Sequence, residues 1–137
     1  MFQLTDKHLK IDTPHTTLLF KVCHKEIQPY YTYEPFESYL MPIHYGRKLQ
    51  DGDDFDILCK NEAGRFASIS CPGNTDVREP LLLIQNADGS YVNDFRFMGI
   101  REVGDYESDG MPKAHSVAQL LEIRYVDNRT QAELYQY

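Results

Sequence analysis

Apolar and polar residues along this chain fall mainly into short alternating runs, separated by turn residues every eight to fifteen positions. Thr16 to His24, TTLLFKVCH, puts Leu18, Phe20 and Val22 on one face and Leu19, Lys21 and Cys23 on the other. A run apolar on both faces predicts a strand buried between layers. Ile27 to Tyr33 is Tyr-rich and broken by Pro29, which suits an edge or a bend. Pro35 and Pro42 interrupt the next stretch, and Ile43 to Leu49 predicts a short strand kinked at Gly46. Gly64 to Cys71 is a weak strand ended by the Pro72-Gly73-Asn74 turn. Pro80 to Gln85 is an apolar run without alternation. Asp88-Gly89 then gives a hairpin signal ahead of a long strand, Tyr91 to Val103, with Phe95 and Phe97 on one face and Arg96, Met98 and Ile100 on the other. Val117 to Val126 and Thr130 to Tyr137 alternate about the Asp127-Asn128-Arg129 turn and predict a hairpin. Asp51 to Asp56 and Gly104 to Ala114 are read as loops. No convincing amphipathic helix is present. The pattern predicts an all-β fold, an antiparallel β-sandwich, with little or no helix longer than two turns.

Composition narrows the function classes. The 137 residues suit a single domain, with 42% hydrophobic and 26% charged residues. The net charge of −7 disfavours a phosphate backbone as partner, so no nucleic acid is expected, whereas an uncharged sugar is not disfavoured. Ten Tyr and seven Phe favour strands, and the lack of Trp removes the largest platform for stacking on a sugar ring. No segment approaches the about 20 apolar residues of a membrane span, and Met1 to Pro14 lacks the apolar core of a secretory signal. Three cysteines, Cys23, Cys59 and Cys71, cannot all pair within the chain. Together these predict a cytoplasmic protein with reduced thiols and no membrane partner.

Residue chemistry gives no catalytic signature. Asp51, Asp53, Asp54 and Asp56 resemble the start of a calcium loop, with Glu62 at the twelfth position. Phe55 stands where an oxygen ligand is needed and Asp56 where a glycine is needed, so a solvated acidic loop is the better reading. No nucleophile elbow, zinc-protease, phosphate-loop or dinucleotide motif occurs. No metal and no cofactor are expected.

Five blocks stand in order along the chain: IHYGRKL at Ile43 to Leu49, DVREPLLLI at Asp76 to Ile84, NADGSYVNDFRF at Asn86 to Phe97, GMPKA at Gly110 to Ala114, and LLEIRY at Leu120 to Tyr125 with AELY at Ala132 to Tyr135. Together they resemble the N-terminal domain of glycoside hydrolase family 36 alpha-galactosidases. IHYGRKL at Ile43 to Leu49 is similar to the family's HLYWGKKL, and DVREPLLLI at Asp76 to Ile84 to GDFRxPALxI. NADGSYVNDFRF at Asn86 to Phe97 closely resembles NADGSxVxDLRY. GMPKA at Gly110 to Ala114 is similar to the start of GLPATYVE, and Leu120 to Tyr125 with Ala132 to Tyr135 resembles LEIxLxD…VELYY. The resemblance spans residues 16 to 137. Thr75 and Val77 depart from the family's usual Gly and Phe, which marks a divergent member.

The resemblance implies a galactose-mutarotase-like β-supersandwich, of which this sandwich is part, packed on a (β/α)₈ barrel. It implies retaining hydrolysis of terminal alpha-galactosides such as melibiose and raffinose. Both catalytic Asp residues of the family lie in the barrel, so no catalytic residue is expected here. Residues 1–137 are then a single domain, the N-terminal fragment of a larger enzyme. Its expected partners are that enzyme's catalytic barrel, a galactoside substrate and further copies in a homo-oligomer. Tyr30, Tyr31, Tyr33 and Phe36 are candidates for an associating surface. A free-standing carbohydrate-binding or interaction sandwich without catalysis is the alternative.

Asp76 and Arg78 are the candidate substrate-binding residues. Two positions apart in an extended segment, they would point the same way, and an acid beside a guanidinium can hold sugar hydroxyls. The plain alternative is a surface ion pair worth about 1 kcal/mol or less. In the resembled family this block lies near the active-site entrance, in some members that of a neighbouring subunit. A retaining mechanism needs two carboxyl groups about 5 Å apart. The isolated chain is therefore expected to give no release of nitrophenol from nitrophenyl alpha-galactoside above a blank, and any turnover would contradict the assignment of catalysis to the barrel.

Overall fold

The structure, a computed structural model, describes residues 1–24, 38–50, 53–60, 67–73, 79–104 and 119–137, with the side chains of His24 and Cys59 outside that set. Two antiparallel sheets pack face to face. The first holds β1 (Phe2–Leu4), β2 (His8–Asp12), β3 (Thr16–His24) and β4 (Ser38–Arg47) in that order. A short helix, α1 (Phe55–Lys60), comes next, and the second sheet holds β5 (Phe95–Val103), β6 (Leu120–Asp127) and β7 (Glu133–Gln136). The fold is the all-β antiparallel sandwich that the alternation predicts.

The core lies between the sheets. Leu9, Phe20, Val22 and Leu40 from the first meet Phe95, Phe97, Ile123 and Tyr125 from the second. Ile69 and Cys71 fill the space between them. The weak strand expected at Gly64 to Cys71 does not join a ladder among its described residues. Instead Ser68 N donates to Leu40 O at 2.7 Å, and Cys71 Sγ donates to Asn93 O at 2.9 Å, so the segment bridges the two sheets. Tyr125 is buried, and its hydroxyl bonds Ser68 Oγ at 3.3 Å and Gln136 Oε1 at 3.1 Å.

The two-sided apolar run of β3 has a direct cause. Leu18, Phe20 and Val22 face the core, while Thr17 and Leu19 on the opposite face are also fully buried. On that second face Lys10 and His8 of β2 lie beside β3, and Phe55 of α1 covers them. Its ring meets the His8 ring edge-on at 5.2 Å, and Lys10 Nζ sits 5.4 Å from the Phe55 centroid. Asp12 accepts from Thr17 Oγ1 at 2.5 Å and pairs with Lys10 at 3.1 Å, so the polar groups under the helix are matched.

The N-terminal segment, to which no element is assigned from the sequence, forms the β1–β2 hairpin closed by Thr5 N to His8 O at 2.9 Å. Three expectations are corrected. The acidic stretch read as a loop runs at Phe55 into α1, whose first turn is capped by Asp54 Oδ1 accepting from Ile57 N at 3.1 Å. Pro42 does not break β4, because it lies on an edge strand at a bulge, where Phe20 pairs with Pro42 and Leu19 with His44, leaving Ile43 out of register. The long strand from Tyr91 begins only at Phe95, and a second bulge leaves Met98 unpaired. Beyond it the faces exchange: Ile100 pairs with buried Ile123 and packs on the core, while Met98 is 51% exposed. The Tyr30, Tyr31, Tyr33 and Phe36 surface lies outside the described residues, as do the Ile27 to Tyr33 edge and the GMPKA block.

The bulge makes a prediction that strict alternation would not. Ile100→Ala should cost about 1–2 kcal/mol in urea denaturation, and Met98→Ala no more than about 0.5 kcal/mol. Equal costs would mean that the strand continues in simple alternation.

Candidate functional site

The residues that carry the strongest block, NADGSYVNDFRF, gather at one rim of the sandwich. Asn86 to Ser90 form a tight turn, with Asn86 N donating to Ser90 O at 2.8 Å and Gly89 N to Asn86 O at 2.9 Å. Gly89 has φ of 82°, which favours glycine there. Asp88 accepts from Ser90 N at 2.9 Å and from Arg129 at 2.5 Å, tying this turn to the β6–β7 turn.

Asp127 stands at the centre. It ends β6, is fully buried, and accepts from Asp94 N at 2.5 Å, Thr130 N at 2.9 Å, Thr130 Oγ1 at 2.5 Å and Asn93 Nδ2 at 3.4 Å. Burial alone would push this carboxyl up, but the hydrogen bonds outweigh it and hold it below the ordinary aspartate range. Asn93, also buried, donates to Asn86 Oδ1 at 2.9 Å and so joins the two turns. Asp94 accepts from Tyr39 OH at 3.2 Å and pairs with Arg96, whose guanidinium lies 4.1 Å from the Tyr39 ring centroid. Through Tyr39 this cluster is fastened to β4 of the other sheet.

Asp76 and Arg78 lie outside the described residues, and so does any contact between them. The residues on either side are anchored to the rim. A Cβ on Gly73 would lie 2.1 Å from the Asn93 carbonyl oxygen, so only glycine permits this approach. On the far side Leu81 N donates to Ser70 Oγ at 2.9 Å and Leu82 N to Ser70 O at 3.1 Å.

The acidic loop is occupied by local bonds where it is described. Asp53 accepts from Gln50 N at 2.6 Å, Asp54 caps α1, and Asp56 pairs with Lys7 at 3.4 Å. Among the described residues no group of three or more His, Cys, Asp or Glu side chains could hold a metal ion. No helix among them is long and apolar enough to cross a membrane.

The sign of the Asp127 shift fixes a pH effect. A carboxyl lowered in the folded state contributes stability that is present above its unfolded value, near 3.8, and is lost as pH falls through the folded value. Asp127→Ala should cost about 3 kcal/mol at neutral pH, because several buried donors lose their acceptor. Its stability should also fall less steeply than the parent's below pH 3.8. Parallel pH profiles of urea midpoints would contradict this role.

The family model for the glycosyl hydrolase family 36 N-terminal domain matches residues 38–136. The match begins with β4 and takes in the rim network and the whole second sheet, leaving β1 to β3 ahead of it. No curated protein matches the chain. With more than two thirds of its length matched, the chain belongs to the glycosyl hydrolase family 36 N-terminal domain family.

Proposed function

We propose that this chain is the N-terminal domain of an alpha-galactosidase, acting beside a catalytic barrel carried on the same polypeptide. The family match over residues 38–136 carries this reading. The barrel would supply both catalytic carboxylates, and the sandwich would brace it and border the substrate entrance. Large apolar side chains support a covered surface beside the rim. Leu81, Leu83, Ile84, Tyr91 and Val92 are exposed on the two stretches flanking the Asn86–Ser90 turn. Apolar exposure of this density suits a partner surface better than open solvent. Association into a homo-oligomer belongs to the same proposal. Asp76 and Arg78 are proposed to hold galactoside hydroxyls where this rim meets the barrel.

The test uses the polypeptide of the complete reading frame. It should release galactose from melibiose and raffinose with retention of the anomeric configuration, followed by proton magnetic resonance. Inversion, or action on beta-galactosides alone, would contradict the proposal. Arg78→Ala in that enzyme should raise KM for galactosides with little change in thermal midpoint, and normal kinetics with lost stability would assign Arg78 to structure.

A further inference from the structure

The outer face of the second sheet carries a second arrangement of polar and aromatic groups, away from Asp127 and its partners. Ile123 and Tyr125 of β6 point into the core, so Glu122 and Arg124 point outward. Gly99, Arg124 and Tyr135 stand directly opposite one another across the three strands. Arg101 and Glu122 form the neighbouring row. The bulge at Met98 brings Gly99 into this register, and nothing lies within 4 Å of where its Cβ would be. The result is an open concavity of about 330 Å³, floored at Gly99 and walled by Met98, Arg101, Glu122, Arg124 and Tyr135. That is the lower end of the size range of small-ligand pockets.

Its polar groups are held in place before any ligand arrives. Glu122 accepts from Arg101 Nε at 2.6 Å and from Tyr137 OH at 2.9 Å. Glu133 accepts from Arg124 Nη2 at 2.5 Å and from Tyr135 OH. Each carboxylate thus fixes one guanidinium and one phenol, which limits the ordering that binding would have to impose. Arg101 nonetheless remains 70% exposed along its side chain and Arg124 45%, so both can reach a ligand.

The chemistry selects the ligand class. Two guanidiniums side by side, each already paired to a carboxylate, offer their remaining N–H donors to the oxygens of vicinal hydroxyls. The Tyr135 ring and the Met98 thioether offer apolar contact for a C–H face. Glu122 pairs with Arg101 and Glu133 with Arg124, so the two cations are neutralised and an anion gains no net charge to bind. We propose that this concavity is a saccharide-binding site, in which Arg101 and Arg124 hold ring hydroxyls, the buried Glu122 keeps Arg101 in place, and Tyr135 supports the sugar's C–H face above Gly99. The choice of a sugar rests on the glycoside hydrolase reading as well as on this geometry.

The test is titration of the ¹⁵N-labelled 137-residue chain with methyl alpha-galactoside, methyl alpha-glucoside and galacturonate in separate arms. Saturable amide shifts in the millimolar range are expected with at least one neutral glycoside, centred on Gly99, Arg101, Glu122, Arg124 and Tyr135. Tyr135→Ala should weaken that binding by about tenfold. Tyr135→Phe, which keeps the ring, should stay within about threefold of the parent. A dispersed spectrum for each variant confirms that it is folded. No saturable shifts with either neutral glycoside, a response to galacturonate alone, or equal binding by Tyr135→Ala would overturn the proposal. The readout is binding by this chain, so it is independent of whether the longer enzyme hydrolyses alpha-galactosides.

Discussion

One buried carboxylate organises the rim of this sandwich. Asp127 ends β6 and takes hydrogen bonds from Asp94 just ahead of β5, from the β6–β7 turn and from Asn93. A buried carboxylate is tolerated only when its oxygens are matched, and four donors match them here. Because those donors come from separate stretches, matching the charge also fixes where the stretches lie. Asn93 extends the bond set to the Asn86 turn, and Asp94 extends it to Tyr39 on the opposite sheet. The core between the sheets is apolar and non-directional, whereas this network is directional and sets how the two sheets meet at one end.

The same network explains why the resemblance rests on the residues it does. Asn86, Asp88, Gly89, Asn93, Asp94 and Arg96 form turns, bridges and an ion pair. Their bonds in this chain are those of scaffold residues. Gly73 is held close to Asn93, and Leu81 is tied to Ser70.

Much of the fold is legible in the sequence, because alternation reports burial directly. The double-sided apolar pattern of β3 announces a covering layer, and α1 with its Phe55 ring supplies part of it. The β6–β7 hairpin is legible from Asp127-Asn128-Arg129 together with the alternation around it. The features that alternation does not display have identifiable causes. The β1–β2 hairpin does alternate, at Phe2 and Leu4 and at Leu9 and Ile11, but over strands of only three and five residues, and α1 is only six residues long, below the span where a helical period is visible. Both bulges are invisible to a period-two argument, since one extra residue exchanges the faces from that point on. At Met98 the extra residue turns Arg101 and Gly99 toward the same outer surface as Glu122 and Arg124. In the sequence Asp127 shows only as a turn residue. Its several donors come together in space, and no spacing along the chain could display them.

The central claim is that Asp127 holds the rim as part of the global fold. Native-state hydrogen exchange of the Asp94 and Thr130 amides tests it most directly, since both donate to this carboxylate. The account predicts that these two amides exchange only through global unfolding, with opening free energies equal to those of core amides in β5 and β6. Rapid exchange of either amide while the core stays protected would show that the rim opens independently, and would contradict the claim.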